Sequence, residues 1–262
     1  MSARVIVIPR ILLLAGISCW LFSSCASMGI SEARKNEADA RMRMGVTYLQ
    51  QDNLPMAMKE LLRASELDPT NPEVDMMIGM TYRARGESKE AEENLRKAIG
   101  KRSDFADAHN NLGIVLADRK AWDEAIRAFQ KAYENVQYQT PERAIYNSAE
   151  AYRHKGEADR AEEQYRQALK ANPGYGPACS GLSSLLFEKG RKQEAASSMA
   201  RCLQAVPEYV DGWMQLGLMY VNMRRPSDAA DAFKKVLSIS DDPDIKKQAS
   251  GYLNVLGSER RR

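Results

Sequence analysis

The chain has 262 residues, 44% of them hydrophobic and 28% charged, a composition that suits a packed globular protein and excludes a disordered one. Its 38 basic and 35 acidic residues leave a formal charge of +3, and removing Arg4 and Arg10 with a leader leaves 36 against 35, or about +1. A nearly neutral chain gives no electrostatic reason to expect nucleic acid, and its wealth of alanine, leucine, glutamate, lysine and arginine favours helix over strand.

Residues 1–25 read MSARVIVIPRILLLAGISCWLFSSC. Two arginines and no acids precede an apolar run from Ile11 to Phe22. That run is shorter than the roughly 20 residues a spanning helix needs, and it suits an export signal. Ser23 and Ser24 then lead into Cys25, a pattern that resembles the lipobox of bacterial lipoproteins, with Phe22 where leucine is more usual. Residues 1–24 are therefore expected to be a lipoprotein signal peptide and Cys25 the acylated residue. Cys19 is a weaker candidate, and ordinary cleavage after Ser24-Cys25-Ala26 is the alternative. Several acyl chains, at about 0.8 kcal/mol per buried CH₂, would hold such a chain firmly. Ala26 follows the cysteine, and by resemblance to sorted lipoproteins an alanine there favours the outer membrane, with the protein facing the periplasm. Residues 25–37 form the lipidated linker to the body, the alternative being an extension of the first helix into this segment.

From residue 38 one unit recurs six times. Met44, Gly45 and Tyr48 are followed by Ala57, Leu61, Ala64 and Pro69. The same order returns at Ile78, Gly79, Tyr82, Ala91, Leu95 and Ala98, then at Leu112, Gly113, Leu116, Ala125, Phe129 and Ala132. It continues at Ala149, Tyr152, Ala161, Tyr165 and Ala168, at Ser183, Leu186, Ala195, Met199 and Cys202, and at Gly217, Tyr220, Ala229, Phe233 and Val236. The step is 34 residues except at the third-to-fourth junction, where it is 36. The pattern resembles the tetratricopeptide repeat, in which each unit is two antiparallel helices, and it predicts an all-α, right-handed solenoid of six helix-turn-helix repeats over 38–71, 72–105, 106–139, 142–175, 176–209 and 210–243. One unit cannot bury its apolar face alone, so 38–243 is a single continuous body. Pro69, Pro173 and Pro207 mark the ends of second helices. Residues 244–262 follow as a capping helix, with Ile245, Ala249, Tyr252, Leu253 and Leu256 at helical spacing, and a solvated basic tail at Arg260, Arg261 and Arg262.

Catalytic motifs are missing. His109 and His154 fall in different repeats without metal-spaced partners, so no metal site is expected, and no phosphate loop, nucleophile elbow or dinucleotide fingerprint occurs. Hence no enzyme, no cofactor and no small-molecule substrate is expected. Cys179 and Cys202 sit near adjacent ends of the two helices of repeat five, so a disulfide between them is feasible in an oxidising periplasm; the alternative is two small buried thiols. The first helices are expected to line a concave, partner-binding groove through Met42, Val46, Leu49, Met76, Met80, Asn110, Ile114, Tyr146, Phe187, Met214, Leu218 and Val221, with Glu150, Arg153 and Ser180 among them. Its two ends are apolar and its middle more polar, which suits an amphipathic helix of another protein. Packing against neighbouring helices is the competing use of the same positions.

The whole plan resembles the type IV pilus biogenesis lipoproteins, the PilF/PilW/Tgl-like pilotins. The residues that carry the resemblance are Asn110-Asn111-Leu112-Gly113 followed by Tyr138-Gln139-Thr140-Pro141-Glu142-Arg143, at the 36-residue step. A late cysteine pair also occurs in some members. Departures are Phe22 in the lipobox and Ala149 and Ser183 at the repeat glycine. The resemblance implies a partner, the outer-membrane secretin subunit, and a role in its localisation and multimerisation, hence in pilus assembly and twitching motility. The other reading is a scaffold lipoprotein of another envelope assembly or polysaccharide-export complex.

Overall fold

The computed structural model describes residues 30–259. The leader, Cys25 and Ala26 lie outside the described residues, as do Arg260, Arg261 and Arg262. Every regular element among the described residues is a helix. Six hairpins follow in order: α1 (Glu32–Gln50) with α2 (Leu54–Leu67), α3 (Pro72–Ala84) with α4 (Ser88–Lys101), and α5 (Ala106–Asp118) with α6 (Trp122–Tyr133). Then come α7 (Pro141–His154) with α8 (Ala158–Ala171), α9 (Gly176–Glu188) with α10 (Lys192–Ala205), and α11 (Val210–Asn222) with α12 (Pro226–Ile239). A last helix, α13 (Pro243–Glu259), closes the array.

The turn inside each hairpin is the same. Its second residue has positive φ in all six copies: Gly86, Gly156 and Gly190 at +80°, +80° and +77°, and Asp52, Lys120 and Arg224 at +57°, +60° and +55°. The residue after it donates its backbone N–H across the turn, as in Glu87 to the Tyr82 carbonyl at 2.9 Å and Ala121 to the Leu116 carbonyl at 2.9 Å. That bond, reaching back five residues over a left-handed residue, satisfies a carbonyl the ending helix leaves unpaired.

Inside the hairpins the small residues set the spacing. A Cβ on Gly45 would stand 2.6 Å from Leu61 Cγ, and one on Gly113 would stand 2.5 Å from Phe129 Cδ1. The alanines at 57, 91, 125, 161, 195 and 229 are all fully buried. Another place in the frame carries a different tie in nearly every repeat. Arg41 pairs with Glu60 at 2.9 Å, buried Asp75 has Lys97 at 2.8 Å and Lys101 beside it, and His109 Nε2 meets the Ser103 carbonyl at 2.9 Å. At the same place Cys179 is bonded to Cys202, and Trp213 Nε1 donates to the Pro207 carbonyl at 2.8 Å.

Repeats then stack. First helices touch the first helices of the next repeat along their backbones (α1 with α3, α3 with α5, through to α9 with α11), whereas second helices stand farther apart and meet through long side chains, as in Arg96 with Glu124 at 3.6 Å and Arg166 with Glu194 at 2.7 Å. The line of first helices is therefore the shorter, inner one, and the solenoid is concave on that side. Outside, Glu162 of α8 accepts from Arg166, from Lys189 and from Arg191, joining repeats four and five. Burial works to raise its pKa, but those three donors outweigh it and hold the carboxyl at about 2.

The two ends differ. At the far end α13 lays Tyr252 on Phe233, ring centroids 4.9 Å apart, and buries Ala249 and Leu256. At the near end Met44 is 43% exposed, although the same frame position is buried at Ile78, Leu112, Ser148, Leu182 and Leu216. Helix α1 also starts earlier than the repeat pattern. Ser31 caps it by accepting from the Arg34 amide, and Arg34 Nη2 donates to the Glu66 carbonyl at 3.1 Å. Residues 32–37 of the linker segment are thus helical and extend the first hairpin, because a cap and a tie to α2 are available to them.

Candidate functional site

The expected groove residues all sit on first helices along the inner side, but they differ in what they leave open. Met42, Val46, Leu49, Met80, Ile114, Tyr146, Phe187 and Met214 are half-buried, and Leu218 and Val221 are exposed at 40% and 39%. Met76 and Asn110 are each only 6% exposed. Met76 packs in the core with Leu95 and Phe105 while its edge still lines a cleft. Asn110 is committed inside the protein, accepting from Asn147 Nδ2 at 3.0 Å.

That bond is one of a series joining neighbouring repeats along the inner side. Gln215 Nε2 donates to Ser184 Oγ at 2.8 Å, and Ser180 Oγ and Tyr209 Oη share a hydrogen bond of 2.8 Å. Charges are paired in the same direction: Arg83 with Asp118 at 2.7 Å and Arg153 with Glu188 at 2.8 Å. The middle of the groove is polar because it is cross-linked, and these charges are already matched within the chain.

Aromatic residues at the starts of first helices complete the lining. Phe105, Tyr138, Tyr175 and Tyr209 each precede a first helix and reach back to the repeat before it. Tyr175 meets Tyr146 edge-on, with centroids 5.7 Å apart. Burial and the nearby Glu150 carboxylate push the Tyr146 hydroxyl up to about 12, so it stays a neutral donor. Tyr165 is fully buried and donates to Glu150, and burial together with that bond raises its pKa further. The sequence reading missed this aromatic set, although its members recur at nearly the repeat spacing.

The longest junction between repeats, residues 134–140, borders a cleft. Tyr138 tucks under it with Ala106, Ala132 and Ala144, while Val136 at its tip is 98% exposed. Asn135 Nδ2 donates to the Asp104 carbonyl at 2.6 Å and Asn135 Oδ1 accepts from the Gln137 amide at 2.8 Å, so the loop is braced. Between this loop and α1 and α3 opens a cleft of about 410 Å³, with Met42, Val46, Met76 and Met77 on its floor. Farther along, Leu49, Met80 and Val115 border a smaller cavity of about 180 Å³.

The remaining sequence candidates fall elsewhere. His154 stacks on Trp122 with centroids 4.9 Å apart, and no group of three metal-ligating side chains occurs among the described residues. No helix among the described residues is long and apolar enough to cross a membrane.

Comparison with known proteins bears on this arrangement. Tetratricopeptide repeat profiles match residues 38–71, 76–140 and 112–246, the last spanning more than half of the chain. The type IV pilus assembly protein PilF of Pseudomonas aeruginosa is 25% identical over 158 residues, which are 60% of this chain and 63% of that protein. The chain thus spans less than two thirds of that relative in the sequence match. The solved structure of Pseudomonas aeruginosa PilF superimposes with a TM-score of 0.68 at 21% identity, covering 84% of this chain and 99% of that one. The structure of PilW, a type IV pilus biogenesis factor, gives 0.64 at 20% identity, covering 80% and 97%. With the same hairpin repeated six times, the same turn in each copy and profile matches along its length, the chain belongs to the tetratricopeptide repeat family.

Proposed function

We propose that this chain is a pilotin: an outer-membrane lipoprotein, anchored through Cys25 and facing the periplasm, that binds the type IV pilus secretin subunit on its concave face. Binding there would bring the secretin to its membrane and favour its multimerisation, and pilus assembly and twitching motility would depend on it. No catalytic step belongs to this role. The concave face offers apolar stretches at both ends and an internally paired middle, which is a docking surface rather than a reaction centre.

The observation that carries the reading is the extent of the match to PilF, a type IV pilus assembly protein by name, over 99% of its solved chain, together with its similarity in sequence. Repeat number and the long third-to-fourth junction agree with that family's plan. The test is deletion of the gene, followed by blotting of membranes for secretin multimers. Loss of multimers and of surface pili is expected, with restoration by the wild-type gene. Normal multimers in the deletion strain would overturn the pilotin role. A Cys25→Ser variant, fractionated in parallel, tests the anchor separately: it should leave the outer membrane.

A further inference from the structure

The cleft beside the third-to-fourth junction carries more acidic than basic groups on its rim. Its floor is apolar, made by Met42, Val46, Met76, Met77 and Phe105. Its rim carries one cation, Arg102, and three carboxylates, Glu73, Asp104 and Asp107. Arg102 is already committed. Its guanidinium lies 3.6 Å from the centroid of the Phe105 ring, and Nη2 reaches Glu73 at 3.4 Å. Asp104 and Asp107 are exposed, and neither carboxylate is paired with a cation among the described residues. Burial raises the Tyr138 pKa first, and among the charges around its hydroxyl Asp107 and Glu142 raise it and Arg143 lowers it. Farther along the inner face Arg83 is paired with Asp118 and Arg153 with Glu188.

We propose that this cleft receives a basic amphipathic segment of a partner protein, with an apolar side chain on the methionine floor and a flanking lysine or arginine against Asp104 and Asp107. Methionine side chains adapt their shape to an apolar insert, which suits a floor that must accept a mobile segment. The rim carboxylates select against acidic segments, because like charges brought together at a partly dry surface repel. The bracing of the loop by Asn135 holds Asp104 in place before the partner arrives. The proposal rests on the inner face being the docking surface, and it does not depend on the partner being a secretin.

The test uses two labelled synthetic helical peptides with the same leucine and methionine face, one flanked by lysines and the other by glutamates. Fluorescence anisotropy with the mature chain should show the lysine peptide binding about tenfold tighter, a gap that narrows with added salt. Asp104→Asn with Asp107→Asn, isosteric changes at exposed positions, should erase most of that preference while thermal unfolding stays unchanged. Met77→Gln should weaken both peptides alike. Equal affinities for wild type, or a preference that survives the double variant, would overturn the basic-segment proposal, as would binding of neither peptide. Sedimentation of the chain alone covers a different occupant: a dimer that the peptide cannot displace would put a second copy in the cleft and overturn it too. Secretin capture by the wild-type chain is measured in parallel. Capture with equal peptide affinities leaves the pilotin reading standing and sinks only this one.

Discussion

The ring of Tyr165, in the second helix of repeat four, lies against Gly181 in the first helix of repeat five. A Cβ on Gly181 would stand 2.5 Å from Tyr165 Cε1 and 2.7 Å from Cζ. In repeats one, two, three and six the corresponding large residue presses on the glycine of its own hairpin: Leu61 on Gly45, Leu95 on Gly79, Phe129 on Gly113 and Phe233 on Gly217. Repeat four has Ala149 at that place, and the close approach moves to the neighbouring repeat. Gly181→Ala is therefore expected to destabilise by about 1–3 kcal/mol, since a buried ring must shift to admit the methyl. Thermal unfolding followed by circular dichroism checks it, and an unchanged midpoint would refute the packing argument.

The left-handed turn residue gives a prediction of opposite sign. Lys120 and Arg224 hold φ of +60° and +55° at the place where three other repeats carry glycine. An L side chain in that region costs about 1–2 kcal/mol, and glycine gives part of this back through its greater freedom in the unfolded chain. Lys120→Gly and Arg224→Gly should each stabilise by roughly 0.5–1 kcal/mol. Chemical denaturation midpoints for the two single variants and their combination would show it.

Reduction of Cys179–Cys202 should loosen the fifth hairpin. The bond closes a sequence separation of 23 residues, and a loop of that length corresponds to on the order of 3 kcal/mol in chain-entropy terms. Urea unfolding with and without reductant measures the loss. A Cys179→Ala, Cys202→Ala double variant should behave like the reduced protein, because both sulfurs are buried and neither faces the groove.

Strong acid should weaken the tie between repeats four and five. The Glu162 carboxyl is held at about 2, below the 4.5 of a free glutamate. A group with a lowered folded-state pKa contributes fully above its unfolded value and loses that contribution as pH falls through the folded value. Stability should thus decline between about pH 4.5 and 2, by on the order of 2–3 kcal/mol from this residue. Glu162→Gln should be less stable than wild type at neutral pH and should flatten that part of the pH profile. An unchanged acid limb in the variant would assign the decline to other carboxylates.

How much of this was legible in the sequence follows from the range of each interaction. Alanine at 57, 91, 125, 161, 195 and 229 is a local requirement of two helices in close contact, so it recurs at fixed spacing and reveals the hairpins and their number. The inner face follows from the same frame, which is why the residues from Met42 to Val221 fall on first helices as expected. The turn conformation is less visible, because Asp52, Lys120 and Arg224 accept the strained backbone that glycine adopts freely in the other three copies. What tertiary structure alone decided are the contacts between repeats. Tyr165 turns to Gly181, Asn110 is spent on Asn147, and Arg102 is drawn over Phe105, leaving Asp104 and Asp107 unmatched. Such pairings depend on how one hairpin leans on the next, a geometry set by side-chain volume across the interface and not by spacing along the chain.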